Sequence, residues 1–169
     1  MVDVTSDGSS SSALALAVAA RCTGGRLVCV CRDIEALKQT KSQIEEFELG
    51  DVVSFRVGVD ACEAVKQYKN IDFAVVDHRI KDCDELLFAM DMDPNWSVVV
   101  VSNLCSGRGR VVGAASSVHA RKCRGGGIES ATLPVGGGME VTRIGKSISS
   151  RSRVSKRSTS KRTFLICEE

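Results

Sequence analysis

Five short apolar segments rich in β-branched residues place the strongest constraint on the fold of this chain. They are residues 1–4, 26–32, 52–57, 71–77 and 96–101, and stretches with helical features separate them. Solid apolar runs of this length are typical of strands that are buried on both faces of a sheet. Strands that alternate with helices, joined by right-handed crossovers, form a doubly wound sheet. We therefore predict an α/β, Rossmann-like, doubly wound and mostly parallel sheet.

The helical segments carry recognisable end signals. The four segments are Ala13–Ala20, Ile34 to about Leu49, Asp60–Tyr68 and Asp84–Met92. The first consists of strong helix formers, is apolar nearly all round and should be buried, and Gly24 with Gly25 ends it. Asp33 is the expected N-cap of the second, whose buried side should carry Leu37, Ile44 and Phe47.

The composition changes after Asn103. Residues 104–127 are rich in Gly, Ser and Arg, with a candidate helix at Val111–His119. Two β-like runs, Ile128–Val135 and Met139–Ile144, flank three consecutive glycines, which predicts a C-terminal β-hairpin. We expect residues 1–145 to form the Rossmann-like domain and residues 146–169 to form a flexible tail rich in Ser, Arg and Lys.

Charge is distributed unevenly along the 169 residues. Residues 1–103 hold ten basic and seventeen acidic side chains, whereas residues 104–162 hold thirteen basic and two acidic ones. Only the basic end would be attracted to a polyanion. The basic tail is therefore a candidate contact for an acidic partner, nucleic acid or anionic lipid, or a nuclear address. A solvated tail without a partner is the alternative.

The lengths of the apolar runs, the N-terminal residues and the cysteine pattern favour an intracellular, cytoplasmic or nuclear protein. The longest apolar run is too short to cross a bilayer, and no basic region precedes it as in a signal peptide. The eight cysteines are then expected to be reduced. Cys29 and Cys31 share one face of a strand, which favours buried small residues over a ligand pair. The chain has no CxxC pair, so we predict no zinc site.

Ligands of open parallel sheets bind at the carboxyl ends of the strands. Here those ends are the loop Thr5–Ser12, the segment Cys31–Asp33, the pair Val59–Asp60 and the pair Asp77–His78. In the first loop, small residues precede a helix whose free amide groups could face a ligand. An ordinary capped turn is the alternative there. His78 is either a base at the sheet edge or a solvated loop residue.

A family resemblance rests on several spaced segments. VDVTSDGSSSSALALA, at residues 2–17, resembles the first motif of class I S-adenosylmethionine-dependent methyltransferases, with small-molecule O-methyltransferases nearest in pattern. IDFAVVDHRIKD, WSVVVVSN and ESATLPVGGGMEVTRI continue the agreement, and the last is similar to that family's closing hairpin. AVAARCTGGRLVCV, FAVVDHRIKD and LPVGGGMEVTRIG more closely resemble a plant family of unknown function with a methyltransferase-like fold. The resemblance spans residues 2–145 and implies a site for S-adenosylmethionine.

The resemblance also implies a set of cofactor-binding residues. They are Asp3, Ser6, Asp7, Gly8, Ser9, Asp33, Asp60 and Asp77. Asp3 holds the motif's acidic position, Ser6–Ser9 would lie near the methionine part of the cofactor, and Asp60 near the adenine. Serines replace glycines of the family's first loop. Cys31 stands where the family has an acid for the ribose hydroxyls, and Asp33 could replace that acid if its loop bends back.

Two further departures bear on activity. The metal-dependent branch binds its ion through an Asp after strand four and an Asp-Asn pair after strand five; Asp77 and Asn103 match, but Ser102 replaces the other Asp. Because a hard cation favours anionic oxygens, we predict no stable metal site. The family also has helices before strand one, so we expect an N-terminally shortened form or a fold that manages without that lid. Two functions follow: a methyltransferase-like protein that binds S-adenosylmethionine or S-adenosylhomocysteine and methylates an unknown acceptor, or a catalytically inactive binding or scaffold protein.

Overall fold

The computed structural model describes residues 1–5, 11–57, 60–104 and 127–145. In these ranges the chain forms seven strands and four helices. The strands are β1 (Val2–Thr5), β2 (Leu27–Cys31), β3 (Val53–Val57), β4 (Phe73–Asp77), β5 (Trp96–Ser102), β6 (Gly127–Leu133) and β7 (Met139–Gly145). The helices are α1 (Ser11–Thr23), α2 (Ile34–Glu46), α3 (Ala61–Lys66) and α4 (Cys83–Ala89).

All seven strands belong to one sheet with the order β3-β2-β1-β4-β5-β7-β6. The first five strands are parallel, whereas β7 runs antiparallel to β5 and β6 antiparallel to β7. This arrangement confirms the predicted Rossmann-like, doubly wound sheet with a C-terminal hairpin. The strand order reverses at β1, which lies between β2 and β4, and a ligand crevice is expected at the carboxyl ends of these strands.

The helices cover the sheet on both faces. Helices α3 and α4 pack on one face, over side chains such as Val4, Val76 and Val101. On the other face α1 and α2 cover Cys29, Cys31 and their neighbours on β3. Asp33 caps α2 as predicted, because its carboxylate accepts a hydrogen bond from the amide of Ala36 at 2.9 Å.

Two helix faces differ from the sequence-based expectation. Helix α1 is buried on one side only, with Ala17 and Ala20 inside and Val18 46% exposed, because it packs on the sheet with a single face. Helix α2 buries Ala36, Thr40 and Ile44. Phe47, expected inside, is 57% exposed because α2 ends at Glu46 and the next residue leaves the helical spacing.

The glycine turn of the hairpin packs against the end of β5. Gly136 and Gly138 have φ angles of 55° and 84°, which only glycine adopts readily. A Cβ atom at Gly137 would lie 3.0 Å from Oδ1 of Asn103, so this position also needs a residue without a side chain. The amide of Leu104 donates to the carbonyl of Gly138 at 3.2 Å, which fixes the turn at the carboxyl edge of the sheet.

Several predictions fall outside the described residues. These are the assignments of Ser6–Ser9, the helix at Val111–His119 and the tail at 146–169. Within the described ranges, no helix is both long enough and apolar enough to cross a membrane. The five cysteines in these ranges are free. The prediction that Cys29 and Cys31 are buried is confirmed.

Candidate functional site

A cavity of about 620 Å³ opens at the carboxyl edge of the sheet. Its wall includes the ends of β1 and β2, represented by Thr5 and Cys31, and the first turn of α3 from Asp60. The loop after β4 and the start of α4 close the other side through Arg79 and Leu86. The cavity therefore lies where the strand order reverses, and its volume is typical of a small-molecule site.

Charged side chains of both signs line this cavity in equal number. The acidic ones are Asp60, Glu63, Asp82 and Glu85, and the basic ones are Arg32, Lys66, Arg79 and Lys81. Several form pairs, such as Lys66 Nζ with Glu63 Oε1 at 2.5 Å. A wall with balanced charge suits a ligand that carries both a cationic and an anionic group better than it suits a polyanion.

Among the predicted cofactor residues that the structure describes, Asp60 is the one that lines the cavity. Its carboxylate caps α3 by accepting a hydrogen bond from the amide of Cys62 at 2.7 Å, and it is exposed. Burial and, secondarily, the negative charge of Asp60 raise the pKa of the Cys62 thiol. The first turn of α3 therefore presents a carboxylate and a protonated thiol to the cavity.

Asp3 lies on the opposite face of the sheet, beneath the first turn of α1. It is 2% exposed, and the hydroxyl of Ser12 lies 3.3 Å from both of its carboxylate oxygens. Asp3 pairs in register with Cys29. Burial, followed by the charge of Asp3, raises the pKa of Cys29 and of Cys31. Asp3 thus anchors the start of α1 to the sheet and is not part of the cavity wall.

At the end of β2, Cys31 stands at the position where the resemblance implies an acid. Cys31 lines the cavity with a buried side chain whose pKa is raised, so it is a neutral thiol. Asp33 lies two residues farther on, is half exposed and uses one carboxylate oxygen to cap α2. Asp33 is not part of the cavity wall, whereas its neighbour Arg32 is.

Asp77 forms a two-point ion pair with Arg79. Nε of Arg79 lies 3.1 and 3.2 Å from the two carboxylate oxygens, and Nη2 lies 2.7 Å from Oδ2. The backbone amide of Arg79 also donates to Oδ1 at 2.9 Å. Asp77 is 3% exposed, and its partner Arg79 lines the cavity. The carboxylate of Asp77, which matches a metal-ligand position only by resemblance, is therefore held by a guanidinium group.

The other two positions of that metal pattern lie beside Asp77. Ser102 pairs with Asp77 in register, and its carbonyl accepts a hydrogen bond from the amide of His78 at 3.0 Å. Asn103 has a φ angle of 60° and packs against Gly137. In the part of the chain that the structure describes, no group of three or more His, Cys, Asp or Glu side chains is arranged to hold a metal ion. The absence of a stable metal site stays a prediction.

Sequence reasoning missed most of the charged cavity wall. Arg32 lies in the segment Cys31–Asp33 that the sequence placed at the edge of the sheet. Arg79, two residues after β4, was not named, although its position in the sequence could have identified it. Glu63 and Lys66 are spaced as a surface helix pair, and only the fold reveals that this turn of α3 borders a cavity.

Comparison with solved structures supports the fold. A methyltransferase from Geobacter sulfurreducens matches with a TM-score of 0.65 at 18% identity, over 86% of this chain and 70% of that chain. A Podospora anserina methyltransferase with S-adenosylhomocysteine bound matches with a TM-score of 0.61 at 16% identity, over 83% and 69%. Precorrin-6y C5,15-methyltransferase from Geobacter metallireducens matches with a TM-score of 0.61 at 14% identity, over 87% and 78%. The chain thus has the fold of class I S-adenosylmethionine-dependent methyltransferases.

Comparison with curated proteins finds no significant match. A family model, by contrast, matches residues 1–164, which is nearly the whole chain. The chain therefore belongs to the family described as protein of unknown function DUF1442.

Proposed function

We propose that this chain is a methyltransferase-like protein that binds S-adenosylmethionine or S-adenosylhomocysteine at the carboxyl edge of its sheet. The observation that carries the proposal is the 620 Å³ cavity at the point where the strand order reverses. The fold shared with methyltransferases, one of them with S-adenosylhomocysteine bound, supports the same ligand class.

The balanced charge of the cavity wall suits this ligand. S-adenosylmethionine carries an ammonium group, a carboxylate and a sulfonium on one molecule, so it needs charged partners of both signs. In this proposal Asp60 lies near the adenine. Asp33, which caps α2 and lies outside the cavity wall, reaches the ribose hydroxyls only if its loop bends back. Ser6, Asp7, Gly8 and Ser9 lie near the methionine part.

Asp3 and Asp77 take supporting roles in the proposed site. Asp3 holds Ser12 and with it the first turn of α1, the helix that follows the carboxyl end of β1. Asp77 fixes the guanidinium of Arg79 in the cavity wall. The methyl acceptor is unassigned, and no side chain is proposed as a catalytic base.

A titration with S-adenosylhomocysteine tests the proposal. Ligand that binds only the folded state stabilises it by about 2.7 kcal/mol at 100 times the dissociation constant, which raises the melting temperature. Ala61→Phe places a larger side chain in the cavity and should weaken binding. Ala15→Phe, on the exposed side of α1, is the matched control and should leave binding unchanged. If the unmodified chain shows no heat of binding and no thermal shift with millimolar ligand, the proposal is wrong.

The second candidate is a catalytically inactive member of the fold that acts as a binding or scaffold protein. The specific observation in its favour is that Cys31 lines the cavity where the resemblance implies an acid, and that the carboxylate of Asp77 is held in an ion pair by Arg79. Binding of S-adenosylhomocysteine without consumption of S-adenosylmethionine across a panel of acceptors would favour this candidate.

Three further proposals rest on the sequence alone. The basic tail at 146–169 contacts an acidic partner or nucleic acid, the protein is cytoplasmic or nuclear, and its family is associated with plants. Pull-down with and without Arg-to-Gln substitutions in the tail, and localisation of the full chain, test the first two proposals.

A further inference from the structure

Strand β6 presents an open edge. It is the last strand in the order of the sheet and pairs with β7 over all seven of its residues, from Gly127 opposite Gly145 to Leu133 opposite Met139. On its outer side, β6 makes no backbone hydrogen bond to another segment of the described ranges. Every second residue of such a strand directs its N–H and C=O groups away from the sheet, so the edge can accept another strand.

This edge lacks the features that usually prevent strand addition. Edge strands are commonly short, bulged, or interrupted by proline and lysine. The seven residues of β6 contain no proline or lysine, and their register with β7 is continuous. The single charge belongs to Glu129, and Arg143 on β7 contacts it at 3.1 Å. The strand is therefore long, regular and nearly neutral, and its residues 129–133 are exposed.

We propose that β6 pairs antiparallel with β6 of a second copy of this chain, with the two-fold axis at Ser130. In that register Glu129 lies opposite Ala131 of the second copy, and Ile128 lies opposite Thr132. In this register no two like charges face each other. Ile128 and Thr132 are both β-branched, and they meet in two symmetry-related pairs. Gly127 lies opposite Leu133, so the largest side chain of the strand meets the smallest.

The charge pattern favours a second copy over a basic or acidic partner. Glu129 is neutralised within its own chain, which leaves the edge without a net charge to attract a polyion. In the antiparallel register the side chains of β6 fit those of β6 in the second copy. A two-fold contact requires a surface that matches itself in this way. The result is one continuous sheet built from two seven-stranded sheets.

The apolar surface beside β6 supports the same occupant. Val98, Val100 and Val141 are only partly buried and belong to neither core. At the turn of the hairpin Leu133 is 40% exposed and Val135 59% exposed. Val141 on β7 lies one strand spacing of about 4.8 Å behind this edge, and Val98 and Val100 on β5 lie two. The apolar contact that pairing adds to the main-chain hydrogen bonds therefore comes from Leu133, which lies opposite Gly127 of the second copy.

Matched substitutions at Ala131 test both the pairing and its register. In the proposed register residue 131 of each copy lies opposite Glu129 of the other copy, so each dimer contains two such pairs. Ala131→Glu therefore creates two like-charge pairs, while Ala131→Lys creates two opposite-charge pairs. At about 0.2–1 kcal/mol for each pair, the glutamate variant should raise the dissociation constant of the dimer by about 2- to 30-fold, and the lysine variant should not raise it.

Sedimentation equilibrium of the full chain, up to millimolar concentration, measures these constants. Ala15→Glu, on the exposed side of α1, is the control and should leave the dissociation constant unchanged. Thermal unfolding of each variant verifies that it folds, since residue 131 is exposed. High salt should reduce the difference between the glutamate and lysine variants. A chain that stays monomeric overturns the proposal, as does a dimer that both variants leave equally stable.

Discussion

The ion pair between Asp77 and Arg79 should contribute measurably to stability, unlike the surface ion pairs of this protein. Exposed pairs contribute about 0.2–1 kcal/mol, and removing one partner of a buried pair costs about 3–5 kcal/mol. The carboxylate of Asp77 is 4% exposed and the side chain of Arg79 is 40% exposed, so this pair lies between the two limits. Hydrogen bonds to charged groups contribute about 1.5–3 kcal/mol, which is the coupling energy we expect.

A double-mutant cycle measures this coupling. Asp77→Asn keeps the shape of the side chain and removes its charge, and Arg79→Met keeps the apolar stem. Urea unfolding gives the free energies of unfolding of the unmodified chain, both single variants and the double variant. The coupling energy is the effect of the double substitution minus the sum of the effects of the two single substitutions. The pair Glu35–Lys38 on α2, with side chains 75% and 66% exposed, is the control and should give about 0.2–0.5 kcal/mol. A coupling energy at Asp77–Arg79 no larger than that of the control pair would refute the reasoning.

Three other expected outcomes concern packing, pH and thiol reactivity. Gly145→Ala should lower the free energy of unfolding by about 1–3 kcal/mol, because its Cβ would lie 2.7 Å from the carbonyl oxygen of Asn95. A Cβ at Gly50 would have no atom within 4 Å, so the control Gly50→Ala should be neutral or stabilising. Thermal unfolding of both variants measures the two effects. Burial raises the pKa of Cys83 from 9.0 to about 12. Because the unfolded chain loses this proton first, stability should fall with rising pH between 9 and 12, and the fall measured by urea unfolding should be smaller in Cys83→Ala. Equal slopes in both proteins would contradict this assignment. At mildly alkaline pH, iodoacetamide should modify the exposed Cys22 in the folded protein well before the buried Cys83, which mass spectrometry of the peptides can follow.

The sheet could be predicted because its strands are short apolar runs with clear boundaries. Residues 96–101 were assigned to a strand from their β-branched side chains, and β5 extends over Trp96–Ser102. The closing hairpin followed from three glycines between two β-like runs, and Gly136 and Gly138 do adopt positive φ angles. Local chemistry determined these elements, so local sequence revealed them.

Helix faces and the site depended on tertiary contacts that the sequence does not display. Phe47 was expected inside because spacing was extended past Glu46, where α2 ends. Residues 13–20 of helix α1 are all apolar, and only the position of the helix on the sheet decides that Val18 faces outward. Asp60 was found from its place after a strand. Arg79 was missed because Asp77 was considered with His78 and with the metal pattern of Ser102 and Asn103, and its pairing with Arg79 depends on the fold of the loop after β4.

The direction of β7 has a practical consequence. Because β7 runs against β5, Gly145 lies level with Trp96, at the end of the sheet away from the cavity. Seven residues of strand span about 20 Å, so whatever follows Gly145 begins roughly that far from the mouth of the cleft. A surface anchor or fluorescent label attached after this residue would hold the domain by its base, with the cleft directed toward the solution.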